Sequence, residues 1–321
     1  MNPIAVILSR ESKPATCNQH TMNILITGGT GLIGKRLTDL LIEKGHTVSI
    51  LSRTKKQSDK ASFYTWDIAN KKIESEAIKN ADIIVHLAGA NVGEGRWTSK
   101  RKKEIIDSRV QSGNLLFQTV KKHNPNLKAF ISSSAIGYYG MTTTDKTFSE
   151  TDKPGFDFLA NVCLKWENAA EQFKQLGVRT AIIRTGVVLD TNEGALAKLI
   201  TPIKFGIGSA LGSGKQAMPW IHLEDICGIY IHLIENNELE GTFNGVAPSK
   251  DNNEEFSKTL ASVLNKPFWF PKVPSFAIRL LLGKQAVIAL EGSPISSKKV
   301  EESGYEFRFK ELKIALTDTL N

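Results

Sequence analysis

The feature that most constrains the fold is a glycine-rich turn that lies between a strand pattern and a helix pattern. The stretch from Asn23 to Arg53 reads NILITGGTGLIGKRLTDLLIEKGHTVSILSR. Asn23 to Thr27 is rich in β-branched residues, and apolar residues then recur at helical spacing from Ile33 to Leu41. A second apolar strand pattern follows from Thr47 to Leu51. The stretch is therefore predicted to form one β-α-β unit of a parallel sheet.

The turn itself, Gly28 to Gly34, has the sequence GGTGLIG and matches the pattern G-x-G-x-x-G. A side chain in such a turn would hold a pyrophosphate away from the backbone N–H groups and from the positive end of the helix. Gly34 would also allow close approach of helix and strand. Because the pattern lies between a strand and a helix, it predicts a nucleotide cofactor site, and an ordinary glycine turn is the alternative.

The second strand ends in Ser52-Arg53, where a dinucleotide-binding fold places the residue that contacts the adenosine ribose. A carboxylate there would accept hydrogen bonds from a free 2′-hydroxyl and repel a 2′-phosphate, whereas Arg53 can pair with that phosphate. Lys55 and Lys56 add positive charge nearby. The sequence therefore favours NADP(H) over NAD(H), and the alternative is a solvated surface arginine.

The composition indicates a water-soluble globular chain. Its 321 residues, 41% of them hydrophobic, suffice for one large α/β domain with a smaller appended lobe. The formal charge is +8, but basic residues are scattered, and the longest group, Lys100 to Lys103, lies on a predicted helix. Such a group is typical of a solvated helix face, so we expect no nucleic-acid partner.

Neither a metal site nor a membrane span is predicted. Cys17, Cys163 and Cys227 lack metal-type spacing and indicate a reducing compartment, and the six histidines are dispersed. Residues 1–21 have no signal-peptide pattern and are interpreted as an N-terminal extension. No apolar stretch has membrane-spanning length, so we expect a cytoplasmic protein with no membrane partner.

The rest of the chain alternates strand and helix patterns, which predicts an α/β fold with a doubly wound parallel Rossmann sheet. The domain at 22–190, completed by about 223–247, is expected to bind the cofactor. Residues 191–222 and 248–321 are expected to form a smaller α+β substrate lobe. Further predicted strands are Phe63–Trp66, Ala81–Ala88, Ala129–Ser134, Thr180–Arg184 and Gly241–Val246, and predicted helices are Ser99–His123, Phe158–Leu176 and a segment from Trp220 to about Asn237.

Two further segments are predicted to border the cofactor. Leu87, Ala88 and Gly89 would lie at the carboxyl end of a buried strand, where small side chains leave room for a ligand. On the helix that follows, Glu104, Ser108 and Arg109 are spaced to lie close to one face. Arg109 would either face the cofactor or form a surface ion pair.

A run of three serines marks the predicted substrate side. The strand AFISSS ends at Ser134 and leads into Ala135-Ile136-Gly137-Tyr138-Tyr139-Gly140. Because ligands of α/β folds bind outside the carboxyl ends of the strands, the Ser134 hydroxyl is well placed for a substrate.

Several motifs together resemble the extended short-chain dehydrogenase/reductase superfamily: TGGTGLIG, HLAGA, SSSAIGYYG, RTGVVL and PWIHLEDI. GRWT, KWE and FNGVAPS resemble its atypical branch, the epimerase family proteins, some bacterial members of which are labelled cell-division inhibitors. The resemblance covers Met22 to the end and implies an NADP(H)-binding Rossmann domain. The cofactor contacts that it implies are Thr30, Gly31, Leu32, Ile33, Ser52, Arg53, Leu87, Ala88, Glu104, Arg109 and Val187.

One departure from that superfamily concerns its chemistry. Short-chain reductases use a serine with a Y-x-x-x-K pair, in which the tyrosine exchanges a proton and the lysine lowers its pKa. No Y-x-x-x-K occurs in this chain. Counted from Ser134 by the usual spacing, the tyrosine position falls at Leu159 and the lysine position at Cys163. Neither side chain can do that work.

Two functions therefore stay open. In the first, the protein is an epimerase or oxidoreductase on an unidentified, nucleotide-sugar-like small molecule. Ser134 would then orient a substrate oxygen, and Tyr138, Tyr139 or Lys165 would supply the proton. In the second, the protein is a non-catalytic regulatory or redox-sensing protein whose shape or partners depend on NADP(H). The sequence fixes neither the substrate nor the oligomeric state.

Overall fold

The computed structural model describes residues 21–321, so the predicted extension lies outside the described residues except for Thr21. The strands are β1 Asn23–Thr27, β2 Thr47–Ser52, β3 Ser62–Asp67, β4 Lys72–Ile73, β5 Ile83–His86, β6 Ala129–Ala135, β7 Arg179–Thr185, β8 Val187–Leu189, β9 Trp220–His222 and β10 Gly241–Gly245. The helices are α1 Leu32–Glu43, α2 Glu76–Lys79, α3 Ser99–His123, α4 Phe158–Glu171, α5 Gly194–Lys204, α6 Leu223–Glu235, α7 Asn253–Val263, α8 Ser275–Leu282, α9 Val287–Leu290, α10 Lys298–Glu302 and α11 Leu312–Leu320.

Eight strands form the central sheet in the order β10-β7-β6-β5-β1-β2-β3-β4. All neighbours are parallel except β3 and β4. The predicted doubly wound parallel sheet is therefore confirmed. The chain proceeds from β1 to β2 on one side and later returns to place β5 on the other. The crevice between the carboxyl ends of β1 and β5 is the topological switch point at which such sheets bind ligands.

Three elements differ from the sequence prediction. The helix predicted to reach Leu176 is α-helical only to Glu171 and finishes as a 3₁₀ turn, which Gly177 ends in the left-handed conformation at φ +72°. The strand β5 is shorter than predicted because the chain diverges once Ala88 reaches the glycine turn. The segment assigned to the start of a helix, Trp220–His222, instead pairs with β8 in a small second sheet.

The sheet buries apolar residues on both faces, as expected for parallel strands. Ile24 and Ile26 point to the side covered by α1 and α6, and Leu25 points to the side covered by α2, α3 and α4. A third apolar core joins β8 and β9 to helices α5, α7 and α11, with Trp220 and Phe256 fully buried. The carboxyl edge of the sheet is thus held rigidly between three packed layers.

The C-terminal segment is attached to α6 through one buried carboxylate. Asp225 accepts backbone N–H bonds from Arg308 at 2.8 Å and from Phe309 at 3.0 Å, and the Tyr305 hydroxyl donates to it at 3.0 Å. These bonds satisfy a carboxylate that is fully buried. The chain after α10 is therefore fixed against the main sheet rather than loosely appended.

Candidate functional site

The turn between β1 and α1 has no room for side chains at two positions. Gly28 has φ +74°, and a Cβ atom there would lie 2.9 Å from the backbone nitrogen of Ala88. At Gly34 a Cβ atom would lie 2.3 Å from the Gly28 carbonyl oxygen. Both positions therefore require glycine, one for conformation and contact with β5 and the other for close packing of α1 against the turn.

The N-terminus of α1 is open to an anion. Gly31 is its N-cap residue, and no side chain caps the helix there, whereas Thr98 caps α3 and Asp157 caps α4. Gly31 is exposed and has φ −83°. A Cβ atom added to it would lie 3.4 Å from the nearest described atom, the Gly28 carbonyl oxygen. The first N–H groups of the helix and the positive end of its dipole therefore face the crevice without an acceptor side chain from residues 21–321. Thr30, Leu32 and Ile33 lie half-buried around this opening.

A buried histidine, His86, lies in a hydrogen-bond network next to the glycine turn. The Ser112 hydroxyl donates its proton to the Ser108 carbonyl oxygen at 2.7 Å. Its oxygen therefore accepts from Nε2 of His86 at 3.1 Å, so Nε2 is the ring nitrogen that carries the proton. Nδ1 of His86 then accepts from the Thr27 hydroxyl at 2.7 Å, and Thr27 accepts from the Ala88 N–H at 3.3 Å. Burial lowers the pKa of His86 to about 3. This neutral network fixes Leu87 and Ala88 against the glycine turn.

Ser52 and Arg53 follow β2 at the same edge of the sheet. Ser52 is half-buried, and its hydroxyl donates to the Thr54 carbonyl oxygen. Arg53 is exposed and pairs with no carboxylate of residues 21–321, and Lys55 and Lys56 are exposed beside it. The end of β2 therefore presents uncompensated positive charge.

Arg109 is buried beside Gly89 and has no carboxylate partner within the described chain. Its Nη1 donates to the carbonyl oxygens of Ala90 and Ile105, both at 3.0 Å, and its guanidinium lies 4.6 Å from the Trp166 ring centroid. Burial lowers its pKa to about 10, so it stays charged at neutral pH. Its Nε has no hydrogen-bond partner among residues 21–321. The surface ion pair considered from the sequence is therefore wrong.

Glu104 does not share the face of Arg109. Five residues along a helix correspond to a rotation of about 140°, and Glu104 lies on the exposed side of α3, where it pairs with Arg101 at 2.9 Å. Ser108 does lie near Arg109, because its hydroxyl accepts the Ala90 N–H at 3.0 Å. The expected grouping of Glu104 with Arg109 is therefore wrong, since the helical rotation separates them.

Ser134 is buried at the end of β6 and donates to Oε1 of Glu167 at 2.7 Å. The residues at the tyrosine and lysine positions, Leu159 and Cys163, pack against Gly137, three residues after Ser134. Burial raises the pKa of the Cys163 thiol to about 12, so it is protonated at neutral pH. The positions of the superfamily's proton relay therefore hold an apolar side chain and an un-ionised thiol.

A buried ion pair continues this network. Arg184 donates from Nε to Oε1 and from Nη2 to Oε2 of Glu167, both at 2.8 Å, and from Nη1 to the Tyr139 hydroxyl at 2.9 Å. The Tyr139 hydroxyl in turn donates to the Asn244 side-chain oxygen at 2.7 Å. Burial raises the pKa of Tyr139 to about 12. Tyr139 is thus committed to the interior and does not face the crevice.

The two other proposed proton donors occupy different environments. Tyr138 is half-buried, with its ring centroid 3.3 Å from the Arg184 guanidinium carbon. Lys165 is exposed on α4, whereas Cys163 and Glu167 are buried. Each of these two residues is two positions from Lys165, which corresponds to a rotation of about 200° around the helix. The structure therefore does not bring Lys165 to Ser134. Val187 begins β8 at the carboxyl end of β7, half-buried, and donates its N–H to Pro219 at 2.8 Å.

Sequence reasoning missed Glu167 and Arg184. A signal for each was present: Glu167 lies eight residues after Leu159 on the same helical face, and Arg184 ends the buried strand run TAIIR. A charged residue in a buried strand requires a buried partner. Neither signal identified the partner residue. Glu167 on α4 and Arg184 on β7 meet only because α4 packs against the strands β6 and β7.

Comparison with known proteins agrees with this geometry. The model of the NAD dependent epimerase/dehydratase family matches residues 24–244, and a domain of unknown function, DUF1731, matches residues 273–319. The chain belongs to the NAD-dependent epimerase/dehydratase family. Similar relatives are epimerase family protein YfhF of Bacillus subtilis, 34% identical over 93% of this chain and 98% of its own, and human epimerase family protein SDR39U1, 35% identical over 92% and 99%.

Solved structures of this family are similar as well. The crystal structure of human SDR39U1 (isoform 2) with NADPH has a TM-score of 0.83 at 34% identity and covers 94% of this chain and 100% of its own. UDP-N-acetylglucosamine 4-epimerase from Bacillus cereus has a TM-score of 0.74 at 19% identity, with 93% and 98% covered, which supports the fold alone. The resemblance to epimerase family proteins that the motifs indicated is confirmed.

Two further observations concern the described chain. Within residues 21–321, no group of three or more His, Cys, Asp or Glu side chains is arranged to hold a metal ion. Over the same residues, every helix is too short or too polar to cross a membrane.

Proposed function

We propose that this protein is an NADP(H)-binding member of the family that lacks the serine-tyrosine-lysine proton relay. It acts through cofactor-dependent binding, in a regulatory or redox-sensing role, rather than by reducing simple carbonyl compounds. The observation that carries the proposal is the buried network of Ser134, Glu167, Arg184 and Tyr139, which engages the Ser134 hydroxyl internally while Leu159 and Cys163 stand at the tyrosine and lysine positions.

The glycine turn fits a dinucleotide. Gly28 and Gly34 allow the turn to pack closely against Ala88 and α1, and the uncapped α1 terminus at Gly31 leaves helix N–H groups available to a pyrophosphate. The proposed cofactor residues are Gly28, Thr30, Gly31, Leu32, Ile33, Gly34, Ser52, Arg53, Leu87, Ala88, Gly89, Arg109 and Val187. Glu104 lies on the exposed side of α3, so a bound cofactor would reach it only from outside the crevice.

The choice of NADP(H) rests on Arg53. It is exposed at the end of β2 without a carboxylate partner among residues 21–321, which suits a 2′-phosphate. The human relative whose structure is similar was crystallised with NADPH, and this supports the same assignment here. When bound, NADP(H) supplies a hydride equivalent at its nicotinamide.

The orientation of Ser134 argues against carbonyl reduction. Its hydroxyl proton is donated to the Glu167 carboxylate, so towards a ligand its oxygen can only accept. Polarising a carbonyl requires a donor, and the Leu159 and Cys163 side chains cannot replace the missing acid. Ser134 is therefore proposed to orient a ligand N–H or O–H group.

A second candidate function is an epimerase or oxidoreductase that acts on a nucleotide-sugar-like substrate. Two observations favour it: Tyr138 is half-buried at the carboxyl end of β6, and Arg109 is a buried cation with an unfilled donor near Gly89. An anionic substrate group would satisfy Arg109, and Tyr138 would exchange the proton. In this function Tyr138→Phe abolishes turnover.

NADPH titration of Gly31 variants tests the cofactor site. Gly31→Asp puts a carboxylate in the path of the pyrophosphate, and the isosteric control Gly31→Asn does not add charge. Both residues are good N-caps, so folding stability should change by only a few tenths of a kcal/mol. The aspartate variant should bind NADPH at least about tenfold more weakly than the asparagine variant. Equal affinity in the two variants would show that no phosphate lies at this turn.

A further inference from the structure

An exposed apolar surface is formed by residues 205–207 and 269–281. We name it the apolar-basic face. Five of its large side chains are between 70% and 83% exposed. Contiguous apolar surfaces of this kind are rare on monomeric soluble proteins and mark interaction sites. Its apolar members are Phe205, Ile207, Trp269, Phe270, Phe276, Leu280 and Leu281.

The two chain segments that form this face lie side by side. The Val273 N–H donates to the Ala210 carbonyl at 2.9 Å, and the Ser209 hydroxyl donates to the Pro271 carbonyl at 2.5 Å. Helix α8 begins two residues after Val273, and Ile278 is its one buried residue. Phe276 and Leu280, four residues apart, therefore project from the same side of an almost fully exposed helix.

The two segments that form this face carry only basic charges. No Asp or Glu occurs from Gly194 to Leu223 or from Phe256 to Leu290. Lys272 pairs with Glu254 at its border. The exposed bases without a carboxylate partner in the described chain are Lys204, Lys266, Arg279 and Lys284. Apolar and basic side chains are thus interleaved without acidic ones.

We propose that the apolar-basic face docks on an anionic lipid surface. Protruding Trp, Phe and Leu side chains beside unpaired Lys and Arg are the chemistry of a segment that enters the headgroup region of a bilayer. The contact is peripheral, because no helix of residues 21–321 can span a membrane. The expectation of no membrane partner rested on spanning length alone, which does not address a surface contact.

Two other occupants fit the face less well. An apolar peptide is best held in a groove, whereas five of these side chains are between 70% and 83% exposed and protrude. A second copy of this chain in a two-fold interface would place the same unpaired bases against each other, which is unfavourable.

Vesicle co-sedimentation of the full chain tests the proposal. The probes are vesicles of phosphatidylcholine and vesicles of phosphatidylcholine mixed with phosphatidylglycerol. The protein should sediment with the mixed vesicles, and the double variant Phe276→Glu/Leu280→Glu should bind them at least about tenfold more weakly. Arg279→Glu with Lys284→Glu should also weaken binding, and added salt should do the same. Ile314→Glu, an exposed site on α11 outside this face, should bind as the unaltered protein does.

Three outcomes would overturn the proposal. The first is no sedimentation with either vesicle, and the second is unchanged binding of the Phe276→Glu/Leu280→Glu variant. The third is a dimer, measured by light scattering without lipid, that this variant dissociates, since a second copy would then occupy the face. All variants should keep NADPH binding, so the result is independent of the function proposed for the glycine turn.

Discussion

Arg53 is proposed to select NADPH over NADH. Arg53→Asp removes a charge-assisted contact to the 2′-phosphate and adds repulsion. We expect NADPH binding to weaken by roughly 2–3 kcal/mol while NADH binding is spared. Titration of both cofactors checks this, with Lys56→Asp as a control of equal charge change three residues away. Equal losses for NADPH and NADH would contradict the role of Arg53.

His86 should make stability depend on pH. Its pKa is about 3 in the folded protein and near 6.5 when unfolded, so the unfolded state binds more protons between these values. Stability from this group is therefore complete above pH 6.5 and falls as pH decreases towards 3, by about 1.4 kcal/mol per unit. From pH 7 to 5, we expect a loss of roughly 2 kcal/mol in chemical denaturation.

The variant His86→Gln isolates this effect from the titration of carboxylates. Glutamine can still accept from Thr27 and donate to Ser112, but it does not titrate. Between pH 7 and 5, the free energy of unfolding of the variant should fall less than that of the unaltered protein. The reason is that unfolding of the variant takes up about one proton fewer. Identical slopes for both proteins would mean that His86 is not buried as a neutral residue.

Single residues differed in how readily the sequence revealed them. Gly28 and Gly34 were predictable because their function is local, within seven residues of one turn. The partner of Ser134 was not, because Glu167 is 33 residues away and Tyr139 meets Asn244 across 105 residues. Such pairs depend on the packing of whole strands, which no local pattern encodes.

Helix α4 carries the departure from the superfamily on its buried side. Leu159, Cys163 and Glu167 recur every four residues and face β6, whereas Lys165 faces solvent. Glu167→Gln leaves the Arg184 guanidinium buried without its charge partner, so we expect a loss of about 3 kcal/mol. Lys165→Gln should change stability by less than about 0.5 kcal/mol. Urea denaturation of both variants compares them, and similar stabilities would refute the buried ion pair.

Long elements were predicted well and short ones poorly. The 25-residue helix α3 was predicted with its observed ends because its pattern is long, and the structure shows that Thr98 caps its start. The three-residue strand β9 and the two-residue strand β4 were missed. Such short strands are specified by their partners rather than by their own periodicity.

The strand-helix alternation that starts with the first β-α-β unit continues along the chain and sets the overall architecture. Alternating patterns predicted the doubly wound sheet, and the sheet gathers Gly31, Arg53, Ala88 and Ser134 at one edge. What the sequence did not reveal is that the Ser134 end of this edge is filled by an internal network. The glycine-turn end of the edge thus fits the proposed cofactor site, while the Ser134 end lacks the tyrosine and lysine of a short-chain reductase.

NADPH consumption tests most directly whether the protein binds NADPH without the classical proton relay. The purified protein should bind NADPH in titration and yet oxidise it with a panel of carbonyl compounds roughly a hundred- to ten-thousandfold more slowly than an enzyme with an acid-base relay. Leu159→Tyr with Cys163→Lys, once shown to fold and bind NADPH, should raise that rate. Turnover by the unaltered protein at ordinary enzymatic rates, about 1–1000 per second, would contradict the claim.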